Sequence, residues 1–144
     1  MRVKSRIEQT SASAPALPAG FSASGLMFAF APHGATSVVL VTVTTPFSTL
    51  DDFGRAVALQ ADGRIVVAGQ NSINQSNSDF AIARYATNGK LDSSFGTGGK
   101  LTIDFFGSFD GAENVLVQPD GRIVRGGFAR NGTRTGYGLA RVLP

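Results

Sequence analysis

The sequence predicts an all-β chain built from antiparallel four-stranded units, and three observations predict it. One phrase is written twice, as QADGRIVVAG from Gln60 to Gly69 and as QPDGRIVRGG from Gln118 to Gly127. The composition is 42% hydrophobic and only 16% charged, with 18 glycines in 144 residues. That balance suits many short strands and turns and does not suit long amphipathic helices. Finally, turn-forming residues recur at fixed offsets between alternating apolar runs. A chain of this length holds one ordinary core and cannot comfortably hold two.

The repeat extends well beyond the quoted phrase. Residues 52–69 laid over 110–127 share nine of eighteen positions, among them Asp52/Asp110, Gly63/Gly121, Arg64/Arg122 and Gly69/Gly127. Downstream, FAIARY (80–85) lies over YGLARV (137–142), and upstream VTVTTPF (41–47) lies over GKLTIDF (99–105). Repeats must be recognised first, because each copy is one supersecondary unit that buries its faces only against its neighbours.

The elements follow in order. The first copy reads as strands near 39–45, 55–60, 64–69 and 79–86, and the second as strands near 100–105, 112–118, 122–128 and 136–143. Val57 and Leu59 share one face of their strand, as do Val115 and Val117. Asp62-Gly63 and Pro119-Asp120-Gly121 are turns: Pro presets φ, Asp tolerates the left-handed region and Gly supplies positive φ. Asn88-Gly89 turns the chain again after the fourth strand and leads into the linker KLDSSFGTGGK (90–100). Small residues alternate on the fourth strands, Ala81 and Ala83 in one copy and Gly138 and Ala140 in the other, so a neighbouring sheet can approach closely. Four-stranded units of this kind describe a β-propeller-like array, here two blades of an incomplete one. The organisation expected is a leader or disordered tail at 1–38, a β repeat at 39–98 and a second, truncated repeat at 99–144.

The set AVALQADGRIVVAG, DFAIARY and NGKLDSSFGTGGK, in that order and spacing, resembles the delta-60 repeats, a bacterial family of tandem β-propeller units. The resemblance covers about 41–144. The second copy departs from it, with Arg125 standing where the first has Val67. The resemblance implies a repeat fold and an exported or surface-associated bacterial protein of unknown function; it implies no activity.

Charge and composition exclude several classes. Arg2, Lys4 and Arg6 against Glu8 hold most of the net charge of +3, whereas from Val41 onward ten basic residues face nine acidic ones. A basic groove interleaved with aromatics is missing, so no nucleic-acid partner is expected. Without Cys, and with His33 alone, no thiol nucleophile and no multi-histidine metal site is expected. From Gln9 to Leu50 no residue is charged apart from any proton on His33. The basic start followed by GLMFAFA (25–31) also reads, as the alternative to a disordered leader, as a secretory signal peptide. Pro32, His33 and Gly34 interrupt that run, so no transmembrane segment is expected.

The remaining candidates for chemistry read as parts of the building unit. Asp51, Asp52, Asp104 and Asp110 could flank a sugar-cleaving site or hold Ca²⁺, but no Asp-x-Asp-x-Asp-Gly loop accompanies them. Asp52 and Asp110 are expected to be turn residues, and so are Asp62 and Asp120. Arg64 and Arg122 are expected to be solvated or laid over a neighbouring strand. Arg84 and Arg141, each following an Ala in a small apolar strand, are expected to pair with a carboxylate of the same or the adjacent blade. GTGGK (96–100) opens a strand, whereas a phosphate loop would open a helix. No catalytic residue, cofactor or metal is therefore assigned. The expected function is a non-catalytic scaffold or binding module that meets further repeats, or copies of itself, through blade faces, with a protein or glycan ligand on loops 70–79 and 128–136. The alternative is a fragment of a propeller hydrolase or lyase whose site needs further blades.

Overall fold

A computed structural model describes residues 26–30 and 39–143, with side chains described from residue 42. Among these residues there is no helix, and every strand pairing within the sheets is antiparallel. Nine strands are present: β1 (Leu26–Phe30), β2 (Val39–Val43), β3 (Asp52–Leu59), β4 (Ile65–Asn74), β5 (Asn77–Tyr85), β6 (Lys100–Ile103), β7 (Gly111–Val117), β8 (Ile123–Asn131) and β9 (Arg134–Val142). They form a two-stranded sheet β1-β2, a four-stranded sheet β3-β4-β5-β6 and a three-stranded sheet β7-β8-β9. His33 and the leader residues 1–25 lie outside the described residues.

One turn design is used three times. Gly63 N donates to Gln60 O, Gln60 N to Arg64 O, and Arg64 N to Asp62 Oδ1. The same three bonds join Gln118, Asp120, Gly121 and Arg122, and again Ala86, Asn88, Gly89 and Lys90. The glycines have φ of 82°, 83° and 80°, the left-handed region in which a Cβ is strained. The Asx acceptor holds the next N–H, so the Asp/Asn-Gly pair specifies the whole turn.

Two corrections to the sequence reading concern where strands go. The strand expected to open the second repeat, near 100–105, is β6, and it pairs with β5 of the first sheet, Ile82 opposite Leu101. Sheet and sequence repeat are therefore out of phase by one strand. The second sheet accordingly has three strands among the described residues, not four. The physical reason lies in the linker: Arg84 N donates to Gly99 O and Asp92 N to Arg84 O, which folds 90–99 back along β5 and delivers Lys100 to its open edge. The second correction concerns 70–79 and 128–136, expected as loops. They are the arms of two long hairpins that continue β4 into β5 and β8 into β9, so that only Gln75-Ser76 and Gly132-Thr133 are unpaired at the tips.

The sheets stack face to face. Val66 and Ile82 of the first sheet bury against Ile123 of the second, with Leu101, Val115 and Val142 alongside. Ala68 and Phe80 bury against Ala112, with Ile103 and Phe105 around them. Phe80 and Phe105 meet edge-on, ring centroids 5.0 Å apart. Small residues do permit the approach: a Cβ built on Gly138 would lie 3.0 Å from the Phe80 ring. The opposite face of the first sheet buries Ile65, Ala83 and Tyr85 against Val43, Phe47 and Leu91. Tyr85 there donates to Thr45 Oγ1 at 2.7 Å.

Candidate functional site

The repeat carboxylates are turn clamps, as the sequence implied. Asp52 Oδ2 accepts from Phe47 N at 2.8 Å, and at the matching place Asp110 Oδ2 accepts from Phe105 N at 2.9 Å. Asp110 is fully buried and its second oxygen accepts from Arg130 N at 3.0 Å, so it ties the β6–β7 connection to β8. Ser78 Oγ donates to Asp110 O and Asp110 N donates to Ser78 O, docking β5 to the start of β7.

Arg84 also has the expected structural partner. Its Nε donates to Asp92 Oδ2 at 2.9 Å and its Nη2 to Ser94 Oγ at 3.1 Å, while the guanidinium stacks 4.6 Å above Phe95. Arg64 reaches the same Asp92 oxygen at 3.2 Å and Asp62 at 3.1 Å. The Ser94 hydroxyl, then the Ser94 N–H and the two guanidiniums, hold the Asp92 carboxyl below its usual range. Arg122 contacts Asp120 within its own turn. Arg141, the counterpart of Arg84, is exposed on β9.

Three groups break the symmetry between copies, and sequence reasoning singled out Arg125 and part of the carboxylate group. Asp79, Asp104 and Asp110 bring carboxylate oxygens within 4.8 Å of one another. Asp104 was among the candidates, but Asp79 was not, because its neighbour Asp110 is 31 residues away and no local spacing signals the meeting. Their matching positions in the other copy are Gly136, Pro46 and Asp52. Burial first, and then the charges of Asp104 and Asp110, push the Asp79 carboxyl up. Its Oδ1 is buried without a hydrogen-bond partner among the described residues. Asp104 Oδ1 accepts from Gly107 N, and both Asp110 oxygens are occupied by backbone donors. The cluster is thus chiefly a device for ordering the β6–β7 connection. Asp51 lies apart from the cluster, before β3.

Arg125 is the second symmetry breaker. It is fully buried, and Nε, Nη1 and Nη2 all lack hydrogen-bond partners among the described residues. It lies on β8 opposite Ala140 and Val115, 5.9 Å from the Phe80 ring, inside the interface between sheets. Burial pushes the guanidinium down to about 10. Within the duplicated phrase, Val67 to Arg125 is the one departure that introduces a charge; the other two are Ala61 to Pro119 and Ala68 to Gly126.

Arg55 and Glu113 also occupy matching positions. Each is the bulged residue of its strand, β3 and β7 respectively, and they approach to 3.9 Å across the two sheets. Bulges re-aim a side chain, here out of the ladder and toward the adjacent sheet.

Among the described residues, the second sheet also presents an exposed apolar face. On the side of the second sheet turned away from the first, Leu116, Tyr137, Leu139 and Leu143 are 63%, 103%, 70% and 68% exposed. The matching positions of the first sheet, Ala58, Phe80 and Ile82 for the first three, lie on the face that the second sheet covers.

Comparison with known proteins agrees with this architecture. Residues 60–95 match a family model described as a domain of unknown function (DUF5122) beta-propeller. The chain is similar to a beta-propeller domain. The matched residues run from the start of the Asp62-Gly63 turn through β4 and β5 to Phe95, which takes in the Arg84–Asp92 clamp. No curated protein matches the chain. No helix among the described residues is long and apolar enough to cross a membrane.

Proposed function

We propose that the chain is a non-catalytic, β-propeller-type repeat module of the delta-60 kind, serving as a structural or ligand-binding scaffold in a secreted or cell-surface bacterial protein. One observation carries the reading: apart from the exposed Arg141, the charged side chains that recur in the repeat are engaged in construction. Asp52 and Asp110 clamp loops, Asp62, Asn88 and Asp120 shape turns, and Arg84 is locked to Asp92. Surface for a protein or glycan ligand remains at the hairpin tips, Gln75-Ser76 and Gly132-Thr133, and on the adjoining arms.

The second reading, a piece of a propeller hydrolase or lyase, draws on Asp79, Asp104 and Arg125, which occur once each and not as pairs. The two are separated by assay. A panel of esters, glycans and nucleotides is expected to give no turnover, and glycan or protein binding is expected to weaken when Ser76 or Thr133 is replaced by a bulky residue. Turnover abolished by Asp79→Asn or Arg125→Met would favour the enzyme.

A further inference from the structure

The contact between the two sheets is head-to-tail: one face of the first meets the opposite face of the second. It therefore leaves a matched pair of faces at the two ends, the exposed outer face of the second sheet and the opposite face of the first. Val43 and Phe47 cover the latter over β4 and β5, but it is open at Val57 and Leu59 of β3. We propose that this chain assembles with a second copy of itself by repeating that same contact, the outer face of β7-β8-β9 seating on β3-β4 of the next copy while β2 of that copy adds to the edge of β9. The inference rests on the reading of the chain as a propeller-type module and specifies its partner.

Four correspondences support it. Tyr137 and Leu139 stand where Phe80 and Ile82 stand in the contact already made, and both are exposed. The receiving face offers Val57 and Leu59, 42% and 56% exposed, where the second sheet offers Val115 and Val117. Phe105, which packs edge-on against Phe80, has its counterpart in Phe47, and each is held by the Asp five residues later. Thr135 keeps the hydroxyl of Ser78, so it can donate to the Asp52 carbonyl as Ser78 does to that of Asp110.

Charge agrees as well. Arg55 meets Glu113 in the observed contact, and in the repeated one Glu113 would meet Arg55 of the next copy, so opposite signs face each other at both junctions. Like charges at either junction would have opposed the stack.

Strand addition follows the same register. β6 pairs with β5 through Phe80↔Ile103 and Ile82↔Leu101. Transferred by the repeat, these become Tyr137↔Thr45 and Leu139↔Val43. The outer edge of β9 carries no strand among the described residues, and an open edge is a template for pairing. β1 holds Val43 opposite Leu26 in the same antiparallel sense, and its pairing with β2 ends at Val43. β1 is thus the internal occupant that β9 of another copy would replace. Closing the contact into a ring needs about four to eight sheets in all, hence about two to four copies.

The test uses the full chain. Sedimentation across micromolar concentrations is expected to show a closed species of about two to four copies. Leu139→Asp, at an exposed position, is expected to return it to one copy, whereas Phe106→Asp, exposed on the β6–β7 connection, is expected to leave it assembled. The chain has no cysteine, so Thr45→Cys with Tyr137→Cys reports register: opposed residues on paired strands fall within disulfide reach. Oxidation is expected to give intermolecular cross-links, and Thr42→Cys with Tyr137→Cys, three residues out of register, is expected to give few. A wild-type monomer, assembly indifferent to Leu139→Asp, or equal cross-linking by both pairs would each overturn the proposal. Those results leave the module reading standing. Turnover lost on a single substitution would overturn that reading and leave the assembly untouched.

Discussion

Arg125 sets the residue scale because its energetics run against the fold that holds it. A guanidinium has five N–H donors, and burying them unpaired costs several kcal/mol, more than the cation–π contact with Phe80 returns. The first copy fills the same place with Val67, so the fold itself does not need the charge. Arg125→Met, close in length and without donors, is expected to raise stability by about 1–3 kcal/mol in denaturant titration at neutral pH. The sign of the pH dependence follows from the lowered pKa. The charged form is penalised in the folded state, so the penalty is full at neutral pH and is relieved as pH rises through about 10. The gap between variant and wild type should therefore narrow above about pH 10. A loss of stability in Arg125→Met would mean that the guanidinium has an anionic partner.

At the scale of elements, the turns were legible in the sequence and the strand partners were not. Asp-Gly and Asn-Gly dictate their geometry within five residues, and all three form as read. Asp52 and Asp110 were legible as turn residues for the same reason, since each clamp spans only five positions. The pairing of β6 with β5 depends instead on how residues 90–99 fold back, a tertiary outcome that alternation cannot report. The meeting of Asp79 with Asp110 and the orphaned state of Arg125 were equally out of reach, because both arise where sheets touch. Extension of the hairpins through Ser72, Asn74 and Asn77 was missed because polar, poor strand formers lie there, and ladder pairing overrides their propensity. The glycines of this element can be tested in pairs. Gly63→Val or Gly121→Val places a β-branched residue at positive φ and is expected to cost about 1–3 kcal/mol. Gly69→Ala should be at least as costly for a different reason. Its Cβ would fall 1.8 Å from the Phe53 carbonyl oxygen, which backbone cannot easily vacate beside the Arg55 bulge. Thermal unfolding of these three variants and of Gly63→Asn separates the two mechanisms: Asn, which tolerates the left-handed region, should recover much of the loss at position 63, whereas no side chain rescues position 69.

At the scale of the whole molecule, the two sheets share two of the three apolar clusters, and the third belongs to the first sheet with Val43 and Phe47. Val66 and Ile82 are buried by Ile123, and Phe80 by Ala112 and Phe105, so each sheet supplies the other's interior. In an array of this kind stability is the sum of each unit and its nearest-neighbour contact, and a lone sheet leaves both faces wet. Ile123 is fully buried at the centre of that contact. Ile123→Ala is expected to cost about 2–5 kcal/mol, the range for a large-to-small change in a packed interior. The more telling measurement is where the loss appears. If the contact between sheets is the core, amide exchange should accelerate by a similar factor in β4 and β5 of the first sheet and in β8 and β9 of the second, although the substitution lies in β8 alone. Protection lost only around β8, with β4 and β5 unchanged, would show that the first sheet stands by itself on the cluster of Ile65, Ala83 and Tyr85 with Val43 and Phe47, and that the second sheet is an appendage to it.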